Sequence, residues 1–182
     1  MVVSWLSALV LPACGGGAAG GHGAALPPYS GHVVDLFDDG IEPLAVGYLM
    51  DSNGSPQADT RLRERTQTGD AVVRARVMTV TSKAEETGRA WQIGLHVIER
   101  LGGSGPLDKD FVLLVAASEP ASGLVQAFER QLIGKSLVVF VREFAHEGAP
   151  VGEAGDLRFH VAADSPDVLK AVSNAVLAQQ VR

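Results

Sequence analysis

The stretch Asp70-Ala71-Val72-Val73-Arg74-Ala75-Arg76-Val77-Met78-Thr79-Val80-Thr81 sets the reading of the whole chain. Val73, Ala75, Val77 and Thr79 alternate with Arg74, Arg76, Met78 and Val80. That two-residue period, rich in β-branched side chains, predicts a long strand. The polar residues from Ser82 to Gly88 end in glycine, which predicts a hairpin turn. Beyond it Trp91, Ile93, Leu95 and Val97 alternate with Gln92, Gly94, His96 and Ile98, giving a second half-buried strand. Leu101-Gly102-Gly103-Ser104-Gly105-Pro106 breaks that strand. Phe111-Val112-Leu113-Leu114-Val115 is apolar throughout and reads as a central strand.

The second half of the chain follows the same logic. Leu124, Val125, Phe128 and Leu132 have helical spacing, and Gly134 ends that helix. Leu137 to Phe144 predicts a strand, His146 to Gly155 a loop, and Leu157 to Val161 a further short strand. Ser165, Pro166 and Asp167 open a final helix with Val168, Leu169, Val172 and Val176 on its apolar side. The order β-β-β-α-β-β-α predicts a mainly β protein with helices, an α+β chain folded as an OB-like five-stranded Greek-key barrel. Gly94 would ease the bend of so small a barrel. A mixed α+β sheet is the alternative.

Four segments follow: 1–13, 14–31, 32–68 and 69–182. The last holds the predicted barrel and its C-terminal helix. Residues 32–68 read as an irregular and helical extension. His32 to Gly40 is a short strand or one helical turn, and Asp51-Ser52-Asn53-Gly54-Ser55-Pro56 is a turn cluster. Asp59 caps an Arg-rich helix from Thr60 to Gln67, polar on most sides and so expected on the surface. Residues 14–31 are a Gly- and Pro-rich linker.

Composition removes several classes of function. The chain has 182 residues, enough for one domain with a real core. Its formal net charge is −6 with no basic block, which disfavours nucleic acid as a partner. A single cysteine excludes an internal disulfide and a thiolate zinc site.

That cysteine stands after a short apolar run, Val2 to Leu11, about half the length of a membrane span. Leu11-Pro12-Ala13-Cys14 resembles the lipobox of bacterial lipoprotein signal peptides, with Pro12 departing from its usual form. The resemblance implies cleavage before Cys14, lipid on its sulfur and acylation of the new amino terminus. Three acyl chains exceed the two signals that stable anchoring takes. Gly15 stands where retention signals of the inner membrane commonly have Asp, so the resemblance favours the outer membrane. Separately, Asp70 to Val77 together with Val97-Ile98-Glu99-Arg100 resembles netrin-type OB modules, which again implies a barrel.

Candidate chemistry is sparse. His22, His32, His96, His146 and His160 include no i,i+4 pair and no HExxH helix. Asp35, Asp38 and Asp39 form an acidic knot, and Asp51 to Gly54 resembles the start of a calcium loop without its closing Glu. No Ser lies in a GxSxG elbow, and the glycines from Gly102 to Gly105 lack a phosphate-binding Lys. Glu85, Glu86, Glu147 and Glu153 fall in loops and read as solvated. No catalytic, cofactor or metal site is therefore expected. Arg61, Arg63 and Arg65, with Arg74 and Arg76, concentrate positive charge; Arg74 and Arg76 share a strand face and are the candidate partner-binding residues. The expected function is a lipid-anchored, non-enzymatic binding or assembly module facing the periplasm, with the membrane and an envelope protein as partners. A secreted hydrolase assembled from scattered His and Asp residues is the alternative. A carrier with a ligand cavity inside the barrel is a third reading.

Overall fold

A computed structural model describes residues 25–48, 55–86, 88–146 and 155–181. Cys14 and its lipobox, His22, the Asp51 to Gly54 turn, Glu147 and Glu153 lie outside those residues. The elements are α1 (His32–Leu36), β1 (Gly40–Ile41), α2 (Thr60–Thr68), β2 (Ala71–Glu85), β3 (Gly88–Gly102) and β4 (Asp110–Val115). They continue as α3 (Pro120–Leu132), β5 (Ser136–Phe144), β6 (Asp156–Ala163) and α4 (Pro166–Gln180).

The strands form one open sheet in the order β1-β6-β5-β2-β3-β4. Among the strands of the described residues, β1 and β6 pair in parallel and every other strand pair is antiparallel. The expected OB-like barrel is overturned. Closure would require β4 to reach β6 across the gap between the sheet's ends. Instead β1 occupies the outer edge of β6, pairing Gly40 with His160 and Ile41 with Val161. Of the two architectures weighed, the open mixed α+β sheet is the one formed. An open sheet has no barrel interior, so the ligand-carrier reading loses its cavity.

Helices lie on both faces. One face buries Val73, Val77, Trp91, Ile93, Leu95, Leu113 and Val139 beneath Val125 and Leu132 of α3. The other packs Val72, Val138, Phe140 and Ala162 against Leu36, Leu62, Val168 and Val172 from α1, α2 and α4, and against Phe37 just past α1. Leu137 to Val141 is buried on both sides, so β5 is the central apolar strand. Phe111 to Val115, expected at the centre, is instead the edge strand β4. Its burial alternates: Phe111, Leu113 and Val115 are buried while Val112 and Leu114 are exposed.

Local signals explain the helix starts. Asp59 accepts hydrogen bonds from the Arg61 and Leu62 amides, and Ser165 accepts one from Val168. The expectation that α2 is a surface helix needs correcting. Leu62, Arg65 and Thr66 are buried against the sheet layer. Arg65 survives burial because its Nε donates to the Leu36 carbonyl at 2.6 Å.

Candidate functional site

Two irregularities in the β2–β3 ladder build the most distinctive surface. Val77 pairs with Leu95 and Thr79 with Gly94, which leaves Met78 without a partner. Ala75 pairs with Val97 and Arg74 with Glu99, which leaves Ile98 without one. Each is an extra residue in its strand, and such bulges re-aim side chains. The first bulge also exchanges the expected places of Thr79 and Val80: Val80 returns to the core face and Thr79 is exposed. Gly94 opposes the bulge; a Cβ there would collide with the Thr79 hydroxyl. Close approach at the bulge is therefore what Gly94 provides, not the bend of a barrel.

The result is an apolar area on the half of the sheet face that α2 and α4 leave open. Met78 is 54% exposed, Ile98 43%, Val112 50% and Leu114 64%. Arg76, Met78, His96, Val97, Ile98 and Lys109 line an open depression of about 430 Å³. His96 Nδ1 meets Asp110 Oδ1 across the β3–β4 pair at 2.6 Å. The two candidate arginines separate in role. Arg74 Nε donates to Asp164 Oδ2 at 2.7 Å, which ties β2 to the start of α4. Arg76 is exposed beside the depression and makes no ion pair among the described residues. Of the other arginines, Arg61 and Arg63 are exposed on α2, whereas Arg65 is buried.

The histidines do not converge. His96 is held by Asp110, His146 by Asp156 at 2.8 Å, and His160 by Asp38 at 2.7 Å. Each pair sits on a different part of the sheet. Among the described residues no three His, Cys, Asp or Glu side chains are placed to hold a metal ion.

The acidic knot does have a place in the fold. Asp38 and Asp39 sit between α1 and β1, against β6. Asp39 is buried with a left-handed φ of 50°. Its carboxylate accepts hydrogen bonds from the Phe159 amide at 3.1 Å and from the Arg158 guanidinium. Burial pushes the Asp39 carboxyl up, and Arg158 only partly offsets this. Burial alone would push His160 down, but hydrogen bonds to Asp38 and Glu42 prevail and hold it above the ordinary imidazole value. For Asp38, burial is outweighed by the hydrogen bond and charge of His160, so it lies below the usual carboxylate range. This cluster fastens β1 to β6. Its sequence signal was the Asp38-Asp39 pair; nothing local linked it to His160.

No protein-family model matches the chain, and no curated protein is similar to it. No helix among the described residues is long and apolar enough to cross a membrane.

Proposed function

We propose that the chain is a lipid-anchored protein of the bacterial cell envelope, tethered through Cys14, whose folded part is a non-enzymatic binding or assembly module facing the periplasm. The anchor reading is supported by the apolar run ending in Leu11-Pro12-Ala13-Cys14 and by the glycine-rich stretch behind it. Gly15 supports the outer membrane as its site. The binding reading is carried by one observation: the uncovered half-face bearing Met78, Ile98, Val112 and Leu114 beside Arg76. Contiguous exposed apolar side chains rimmed by charge mark interaction surfaces. Bulges that place two of the four make this face a built feature of the sheet.

The test joins both halves. Intact mass of the membrane-bound protein is measured for wild type and Cys14→Ser. The expected result is a lipidated species that begins at Cys14 and disappears in the variant. An unlipidated wild type that retains residues 1–13 would remove the anchor. A photo-crosslinker at Leu114, in cells, should give a discrete adduct that the same probe at exposed Arg63 on α2 does not. Equal labelling at both positions would remove the binding face.

A further inference from the structure

We infer that the free edge of β4 pairs with the same edge of a second copy of this chain, antiparallel about a two-fold axis, which joins two sheets into one. This rests on the binding-module reading and names its partner. The backbone decides what kind of occupant fits. The Val97 amide donates to the Lys109 carbonyl at 2.8 Å, and the β3–β4 register runs without a bulge from there to Trp91 and Val115. Antiparallel alternation then turns the backbone groups of Phe111, Leu113 and Val115 toward β3, and those of Asp110, Val112 and Leu114 outward. No strand among the described residues takes up that outward row. An extended backbone matches its spacing; a helix, whose own groups are bonded internally, does not.

Open edges elsewhere on the sheet carry the devices that block such pairing. Past Arg76, β2 outruns β5 and has the Met78 bulge, Lys83 and Glu85. Past His96, β3 outruns β4 and has the Ile98 bulge, Glu99 and Arg100. The opposite edge of the sheet ends in β1, two residues long. From Phe111 to Val115, β4 has no charge, proline or bulge, and Val112 and Leu114 are 50% and 64% exposed.

The pattern of the strand selects its own copy. With Leu113 on the two-fold axis, Val112 of each chain lies opposite Leu114 of the other. Apolar pairs then form twice, and each exchanges both of its backbone bonds. The charge of this stretch lies at one end, in Asp108, Lys109 and Asp110, and none falls between Phe111 and Ser118. Antiparallel pairing therefore holds the two Asp110 side chains roughly 20 Å apart, well beyond the Debye length of about 8 Å. Parallel pairing in register would stack them. A foreign peptide added to an edge is chosen by pockets for its alternate side chains. The depression beside Arg76 is lined by no residue from Phe111 to Val115, so it does not read a foreign strand there. Among the described residues each chain has one unguarded edge, and two-fold pairing uses both, which closes the assembly at two.

Edges of six residues bury less than a standard interface, so the dimer is weak and forms between about 10 μM and about 1 mM chain. The full-length chain is followed over that range, at about 0.15 M salt, by residue-resolved amide hydrogen exchange and by sedimentation. In the dilute monomer the Val112 and Leu114 amides exchange fast. They are expected to slow about tenfold as the dimer forms, while the Leu113 amide, already turned to β3, keeps its rate. Val112→Pro and Leu114→Lys each place a missing guard on the edge and should abolish both the slowing and the dimer. Arg63→Glu should change neither. Unaltered thermal unfolding of the dilute variants confirms that they fold. No dimer up to about 1 mM, a dimer that leaves the Val112 and Leu114 amides fast, or one that survives both variants overturns the inference. In cells, the crosslinker at Leu114 should give an adduct of twice the chain mass, joined near Val112 of the second copy. A discrete adduct of any other mass would retain the binding module and reject this partner.

Discussion

His160 stands on β6 with its ring nearly closed off from solvent between Asp38 and Glu42. Its Nδ1 is 2.7 Å from Asp38, and Nε2 is 3.5 Å from Glu42 Oε1. Arg65 adds a positive charge near the pair and opposes protonation of the ring. The raised pKa of His160 means that the folded chain holds its proton more tightly than the unfolded one. That stability is fully present below about pH 6.5, the ordinary imidazole value, and is lost as pH rises through the folded value. Asp38 is shifted down, so its contribution is present above the ordinary carboxylate range and is lost on acidification. Urea midpoints across about pH 5 to 9 should therefore fall on the alkaline side, and His160→Gln should flatten that limb. An unchanged alkaline limb in His160→Gln would assign the pH dependence elsewhere.

At the scale of the element, β4 is the informative case. A continuous apolar run normally marks a strand covered on both sides. Here Leu113 is buried under the α3 layer while Leu114, its neighbour, is largely exposed. Leu113→Ala should cost about 2–5 kcal/mol of unfolding free energy by chemical denaturation, and Leu114→Ala no more than about 0.5. Equal losses would mean that something covers Leu114 in the isolated chain. The contrast also shows why the run is misleading in the sequence. The apolar character of Val112 and Leu114 belongs to an exposed surface, and composition does not distinguish surface from core. Leu137 to Val141, of similar composition, is the strand enclosed by helices on both faces.

Across the whole molecule, protection follows the order of the sheet. Strands β5 and β2 lie inside it, with neighbours on both edges, whereas β4 has one free edge. Amide hydrogen exchange should be slowest in β5 and in Ala71 to Val77, and much faster at alternate amides of β4, whose outward groups face solvent. Uniform protection along β4 would indicate a strand or partner already paired with that edge. The other end of the sheet is closed differently. There β1 pairs with β6, and the Asp39 carboxylate holds both the Phe159 amide and Arg158.

Periodicity and capping in the sequence by themselves determined the main elements: five strands, α2, α3 and α4, and caps at Asp59 and Ser165. These signals are local, since alternation and capping depend on neighbours a few residues away. The pairing of Arg74 and Arg76 on one strand face was equally legible. Tertiary structure alone decided whether the sheet closed, because that depends on β1, two residues long, reaching β6 about 120 positions away in the chain. It also separated Arg74, drawn to Asp164, from Arg76, left at the surface. The bulges that aim Met78 and Ile98 arise from the register between two strands. Neither strand's own pattern contains that register, so the face they build emerges only when the strands pair.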